Sequence, residues 1–285
     1  MTLLAEWSRL SASGFNNRAI AKQLAVSEAR LVAEGCGSVS TRLTDDAWKL
    51  LDAVRSLGKV KWVVRNDDAV LERPGELQIL SSSRDTLRAA GETFLLTLSR
   101  GEVASAFALE EARAGDRKRS LQLFDAGGTT LVKIVLREES SVDAFETLVR
   151  ALRHPEQSLT DSVGHETSPA APSRTHAASL ASFLMHAAQT GMPLRFRVRN
   201  CGAELEARTR IHHVKRSERA PWINVLDPQL DLHLHEQALT RASLEPPWIH
   251  WHGETDTPAL SVEACEAFDE LVAAAIDLPK VPAQV

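Results

Sequence analysis

The chain has little cysteine: Cys36, Cys201 and Cys265 are odd in number, far apart and form no CxxC pair. That excludes a disulfide framework and a thiolate zinc site. No apolar run approaches bilayer-spanning length, and the opening MTLLAEWSRL sets Glu6 and Arg9 where a secretion signal needs an unbroken apolar stretch. Basic charge is not in excess either. A net charge of −5 and a pI near 6.1 argue against nucleic acid, whose readers carry a basic stripe. GxSxG, a Walker-type loop and HExxH are all absent, so no nucleophile elbow, phosphate cradle or zincin helix is encoded. A reduced, soluble, cytoplasmic protein of ordinary globular composition remains.

What is present is a repeat. VRNDDAVLE at position 64 returns as VRNCGAELE at position 198, an offset of 134 in a chain of 285 residues. Such self-similarity points to a duplicated domain. The first ~55 residues read as helices: LLAEWSRL, NRAIAKQLA, SEARLVAEG with Ser27 as N-cap and Gly35 as stop, and TDDAWKLLDAVRSLG with Thr44 as N-cap. Strand-like segments follow from KVKWVVRN to TTLVKIVLRE, with Ala126–Gly127–Gly128 as a hairpin turn. SSVDAFETLVRAL closes the first half as an amphipathic helix.

Residues 153–175 are rich in Pro, Ser and Thr and read as a mobile linker. A helix around HAASLASFLMHAAQTG leads into the second copy. LRFRVRN, AELEA, LDLHLHEQALTRASLE and EAFDELVAAAI then follow the order of their counterparts. The offset shrinks to 123 between Phe145 and Phe268, so about one hairpin is expected to be missing, and RSLQLFDAGG has no counterpart. The fold expected is α+β: two tandem, similar halves, each an antiparallel sheet with flanking helices. Their bounds are 1–152, the linker 153–175, and a truncated second half at 176–285.

Candidate chemistry is sparse. NRAIAKQLAVSEARLVA has helix-turn-helix spacing, but Glu28 and Glu34 on its second helix oppose phosphate, so a helical cap on the sheet is the better reading. Six of the ten histidines lie between 212 and 252: His212–His213, His233–Leu–His235 and His250–Trp–His252. An H-x-H pair on a strand turns both rings to one face, which suits a metal or a porphyrin iron, and equally a solvated strand face. Asp45–Asp46, Asp67–Asp68 and Glu110–Glu111 fit helix starts and turns. Arg117–Lys118–Arg119 fits a solvated loop. APWINVLDPQLDLHL reads as strand, Asp227–Pro228 turn and strand, with a buried Trp.

That last stretch resembles the "PWLNVLDP…NLHL" signature of the bacterial hemin-transport and hemin-degrading family of HemS/ChuX type. LLAEW, LAVSEARLVA, LGKVKWVVRNDDAVLE and KRSLQLFDAGGTTLVKIVL resemble other segments of that family in the same order. The resemblance implies a cytoplasmic protein of iron acquisition that binds or transfers haem after import, with haem donor or acceptor proteins as partners. Hemin degradation is implied by the resemblance alone. It also implies a histidine axial ligand and basic residues at the propionates, yet the family's positions are altered here. The "HW" segment corresponds to Glu102, Val103 and Ala104, the "RKPT" lysine to Glu245, and the "HLR" arginine to His235. The later "G.R" strand is expected to be lost with the missing hairpin. The substitute ligands are His165 in LTDSVGH, His233 and His235, with no separate metal site. A homodimer through a sheet edge bared by the lost hairpin is a further expectation. The reading from another class is a non-catalytic scaffold or partner-binding protein that no longer holds haem, and a third is a metal protein using the histidines of 212–252.

Overall fold

The computed structural model describes residues 2–113, 116–159, 175–218, 220–255, 257–264 and 268–276. Its first sequence half opens with helices α1 (Leu3–Ala12), α2 (Asn17–Gln23) and α3 (Glu28–Ala33), strand β1 (Ser40–Leu43) and helix α4 (Ala47–Val54). Strands β2 (Val60–Arg65), β3 (Ala69–Gly75), β4 (Ile79–Ser82), β5 (Thr86–Ala90) and β6 (Phe94–Ser99) follow. The half ends with β7 (Ser105–Arg113), β8 (Asp116–Phe124), β9 (Thr130–Leu136) and helix α5 (Val142–Ala151). The second half runs β10 (His176–Ala177), α6 (Leu180–Thr190), β11 (Leu194–Arg199), β12 (Ala203–Thr209) and β13 (Val214–Arg216). It closes with β14 (Trp222–Asp227), β15 (Leu230–His235), β16 (Arg241–Glu245), β17 (Trp248–His252), β18 (Leu260–Ala264) and α7 (Phe268–Ala275).

Among the described residues the named strands whose registers are known pair antiparallel, and the two halves repeat one topology. In the first, β1-β7-β8-β9-β2 are successive neighbours, as are β4-β5-β6; in the second, β10-β16-β17-β18-β11 and β13-β14-β15. Every first-half strand therefore has a counterpart, which corrects the expected loss of a hairpin. WIHWH shares no letters with RSLQL, but β17 occupies the place of β8. The shortening lies in strand length: β7 and β8 have nine residues each, β16 and β17 five each. The ground for a bared edge, and with it for a homodimer, is removed.

Local chemistry explains most element boundaries. Ser27 caps α3 by accepting the Arg30 N–H at 3.1 Å. The α4 cap is Asp46, which accepts from Trp48 and Lys49; Thr44 instead accepts the Asp46 N–H. Trp7, Leu10, Ile20, Leu31 and Val32 of α1–α3 pack with Phe107, Leu109 and Phe124 of β7 and β8. This segment is thus a cap on the sheet. β1 lies inside the stretch read as helical, and four residues are too few to show a period. The Gly127–Gly128 turn forms as expected, with Gly128 at φ +77°.

By contacts the described chain forms two units: residues 1–64, 74–167 and 200–203, and residues 65–73, 168–199 and 204–285. The tips of the repeated VRN hairpins thus belong to the opposite unit from their flanking sequence, and each is held by its asparagine. Asn66 Oδ1 accepts the N–H groups of Asp68 (3.0 Å) and Ala69 (2.8 Å), closing the turn. Its Nδ2 donates to the carbonyls of Arg199 (2.9 Å) and Ala259 (2.8 Å). Asn200 repeats the pattern in the other unit. Its Oδ1 accepts from Gly202 (3.2 Å) and Ala203 (2.9 Å), and its Nδ2 donates to Thr130 (3.4 Å) and Leu131 (2.9 Å). An amide side chain supplies two donors and an acceptor for two bonds at once, so the shared asparagine is the part of the repeat that closes the turn.

In the first unit Phe94 packs on the buried Trp62 ring, with centroids 5.2 Å apart. Its edge also rests on Gly91, where a Cβ would fall 2.2 Å from Phe94 Cε1 and 2.6 Å from the Glu76 carbonyl oxygen. Gly91→Ala should therefore destabilise the protein by about 1–3 kcal/mol through overpacking, measurable as a lower urea midpoint. Asn66→Ala and Asn200→Ala should each cost about 1–3 kcal/mol, because part-buried carbonyls lose their donors and the turn N–H groups their acceptor. Because they act in separate units, the two costs should add in the double variant; a double variant no less stable than either single one would contradict this.

Candidate functional site

The predicted ligands His233 and His235 lie on β15, where alternation decides which way they face. Leu230, Leu232 and Leu234 are fully buried, so Asp231, His233 and His235 share the opposite, outer face. β15 is flanked by β14 and β3, and β14 by β13, which places Lys215, Asn224, His233 and Val70 in one row across four strands. Trp222 sits on this face too, half-buried rather than in the core as expected.

The two rings are held in opposite tautomers. His233 Nδ1 lies 2.7 Å from Asn224 Oδ1. The orientation of the Asn224 amide is set by its Nδ2, which donates to the Lys215 carbonyl at 3.4 Å. An amide oxygen only accepts, so His233 carries its hydrogen on Nδ1 and leaves Nε2 bare in the neutral ring. His235 Nδ1 accepts the Ala238 N–H at 3.1 Å, so in the neutral ring its hydrogen sits on Nε2. The His235 ring meets Trp222 edge to face, with centroids 5.3 Å apart.

Haem, which the sequence resemblance implies, asks for an imidazole with one bare nitrogen and the other held by an acceptor. His233 fits that requirement. His235 does not, because binding iron through Nε2 would need the loss of its ring hydrogen. His165 lies outside the described residues. Glu102 ends a short turn, Arg100–Glu102, and its Cβ is where a Cβ on Gly202 would collide, at 2.6 Å.

Of the other histidines between 212 and 252, His213, His250 and His252 have side-chain partners. His213 Nδ1 lies 2.6 Å from Oδ1 of the buried Asp227, whose Oδ2 accepts the His212 N–H at 2.9 Å. His252 Nε2 and Ser243 Oγ share a 2.8 Å bond. His250 Nδ1 bonds Ser261 Oγ at 2.8 Å, and its ring stacks on Trp248, over which Arg197 lies at 4.1 Å. The Glu245 carboxylate, 83% exposed, stands 3.4 Å from His250 Nε2. Among the described residues no group of three or more His, Cys, Asp or Glu is placed to hold a metal ion. His250 was visible only as half of an H-x-H pair; Ser261 and Glu245 reach it from neighbouring strands, and that register is not written in the letters.

Burial pushes the His250 pKa down, Glu245 opposes that shift, and Arg197 and Arg199 add to it. The folded state therefore resists the proton that the unfolded chain takes up at about pH 6.5. Stability should fall as pH drops below that value, and His250→Gln should flatten the slope in urea titrations at pH 5–7. An unchanged slope would contradict the assignment.

Comparison with known proteins agrees with this architecture. A family model described as "Haemin-degrading HemS.ChuX domain" matches residues 25–152 and 161–275. The hemin transport protein HmuS of Yersinia pestis is 37% identical over 142 residues, 49% of this chain and 41% of that protein. The hemin transport protein HemS of Yersinia enterocolitica is 36% identical over 135 residues, 46% of this chain and 39% of that one. The aligned stretch is thus under half the length of either relative. Holo-PhuS, a heme-binding protein from Pseudomonas aeruginosa, superposes with a TM-score of 0.84 at 23% identity, over 94% of this chain and 96% of its own. ChuS, an E. coli heme oxygenase, does so with a TM-score of 0.82 at 18% identity, over 96% and 99%. With both halves matched by the same domain model, the chain belongs to the haemin-degrading HemS/ChuX family.

Proposed function

We propose that this protein binds haem and passes it on, as a cytoplasmic component of hemin utilisation. The observation that carries the reading is that both halves match the family's domain. The names of its relatives support it, since they are hemin transport and heme-binding proteins. The domain organisation that goes with it is 1–152 and 176–285 joined by 153–175. A neutral histidine of this chain supplies the axial ligand; of His165, His233 and His235, the last is disfavoured by the ring hydrogen on its Nε2. Iron–imidazole bonding and apolar contact with the macrocycle are what bound haem brings. The chain's own residues would orient that ring, exclude water from it and neutralise its carboxylates.

The altered family positions favour holding and transfer over ring opening. Glu245 and His235 stand where the family has a lysine and an arginine, so the charges that would steady the propionates there are missing. In the scaffold reading the same substitutions mark a chain that has given up haem.

Hemin titration of the purified full chain separates the two. Binding predicts a saturable one-to-one change in the Soret band, with the ligand retained through gel filtration. A spectrum identical to hemin in buffer at every ratio would leave only the scaffold. Among the described residues no helix is long and apolar enough to cross a membrane.

A further inference from the structure

We propose that His212 and His213 bind a late first-row divalent cation, Cu2+ in preference to Zn2+, with water completing its shell. The site does not depend on haem. Three observations carry it, and the first is the hold on an exposed ring. His213 is 73% exposed, yet its Nδ1 lies 2.6 Å from Oδ1 of the buried Asp227. Oδ2 of the same carboxylate accepts the His212 N–H at 2.9 Å, and the His213 carbonyl accepts the Leu226 N–H at 3.0 Å. A dipeptide on a loop is thus fixed at three points.

The second is the state of the rings. Both Asp227 oxygens act as acceptors, so the neutral His213 ring carries its hydrogen on Nδ1 and leaves Nε2 bare. A carboxylate behind an imidazole is the usual outer shell of a metal-bound histidine, because it orients the ring and raises its basicity. The His212 ring lies beside this one, with centroids 6.4 Å apart, and its nitrogens have no partner among the described residues. Two imidazoles that share one ion at about 2.1 Å bring their centroids to roughly 5 Å. A turn of the free His212 side chain closes that gap. Two neutral nitrogen donors suit copper and zinc, and copper binds the tighter of the two. Among the described residues no third His, Cys, Asp or Glu joins them, so the remaining positions fall to water.

The third comes from the duplication. Asp227 pairs with Leu230 at the β14–β15 turn, and at the matching turn of the first half Gly91 donates to the Phe94 carbonyl. Next to that turn Ile79 pairs with Ala90, the place where His213 meets Leu226 in the second half. The fold therefore closes this corner without a carboxylate or an imidazole. The Asp–His–His group is particular to the second half.

Titration of untagged, metal-free, full-length protein with Cu2+, followed by calorimetry and electron paramagnetic resonance, tests the site. The wild type should hold one Cu2+ per chain, with nitrogen hyperfine structure from two imidazoles. His212→Gln and His213→Gln should each weaken binding at least tenfold and remove one nitrogen from the spectrum. Asp227→Asn should weaken it roughly tenfold with both nitrogens retained, the lower end for loss of a group that orients a metal-bound histidine. His233→Gln should bind within twofold of the wild type. Zn2+ should compete for the site and Mg2+ should not. No saturable binding by the wild type, or an unchanged affinity and spectrum in His212→Gln and His213→Gln, would overturn the proposal. Thermal melts check the folding of each variant, and the exposed His212 keeps the test decisive if a change at Asp227 or His213 unfolds the chain.

Discussion

The two amide side chains of Asn66 and Asn200 are the constraint on which the rest depends. Each closes its own hairpin turn with its oxygen and ties that turn to two carbonyls with its nitrogen. The buried Val64, Ala69 and Leu71 of one copy return as the buried Val198, Ala203 and Leu205 of the other, whereas the turn residues differ: Asp67–Asp68 in one copy is Cys201–Gly202 in the other. A reciprocal tie of this kind fixes the register of the hairpins. Register in turn decides which residues of every neighbouring strand face outward, since a slip by one residue would exchange the two faces.

The consequence for function is clearest on β15. With Leu230, Leu232 and Leu234 buried, His233 and His235 are committed to the outer face, yet they are not equivalent there. A side-chain amide opposite one ring and a backbone N–H beneath the other put the hydrogens on different nitrogens. An H-x-H pattern therefore does not make a chelate by itself. The hydrogen-bond partner selects which ring can bind metal, and in this chain that partner is Asn224 of the PWINVLDP segment.

The duplication was legible because VRN and the closing helices keep their letters, and the family resemblance because PWINVLDP does. The strand-turn-strand around Asp227–Pro228 and the helical cap were legible because their periods are long enough to count. The second-half hairpin was misjudged because β17, WIHWH, keeps none of the residues of β8. β1 was missed because four residues show no period, and the α4 cap slipped from Thr44 to Asp46 because both are good capping residues two apart. At the site, the histidines could be read but not their states. Those depend on Asn224, Ala238, Ser261 and Glu245, which only strand pairing and turns bring near. His165 lies outside the described residues.

Long-range nitrogen–proton correlation of histidine-labelled protein tests the account most directly. His233 should show hydrogen on Nδ1 and a bare Nε2, and His235 the reverse. A His233 protonated on Nε2, or a His235 protonated on Nδ1, in the neutral rings would contradict it.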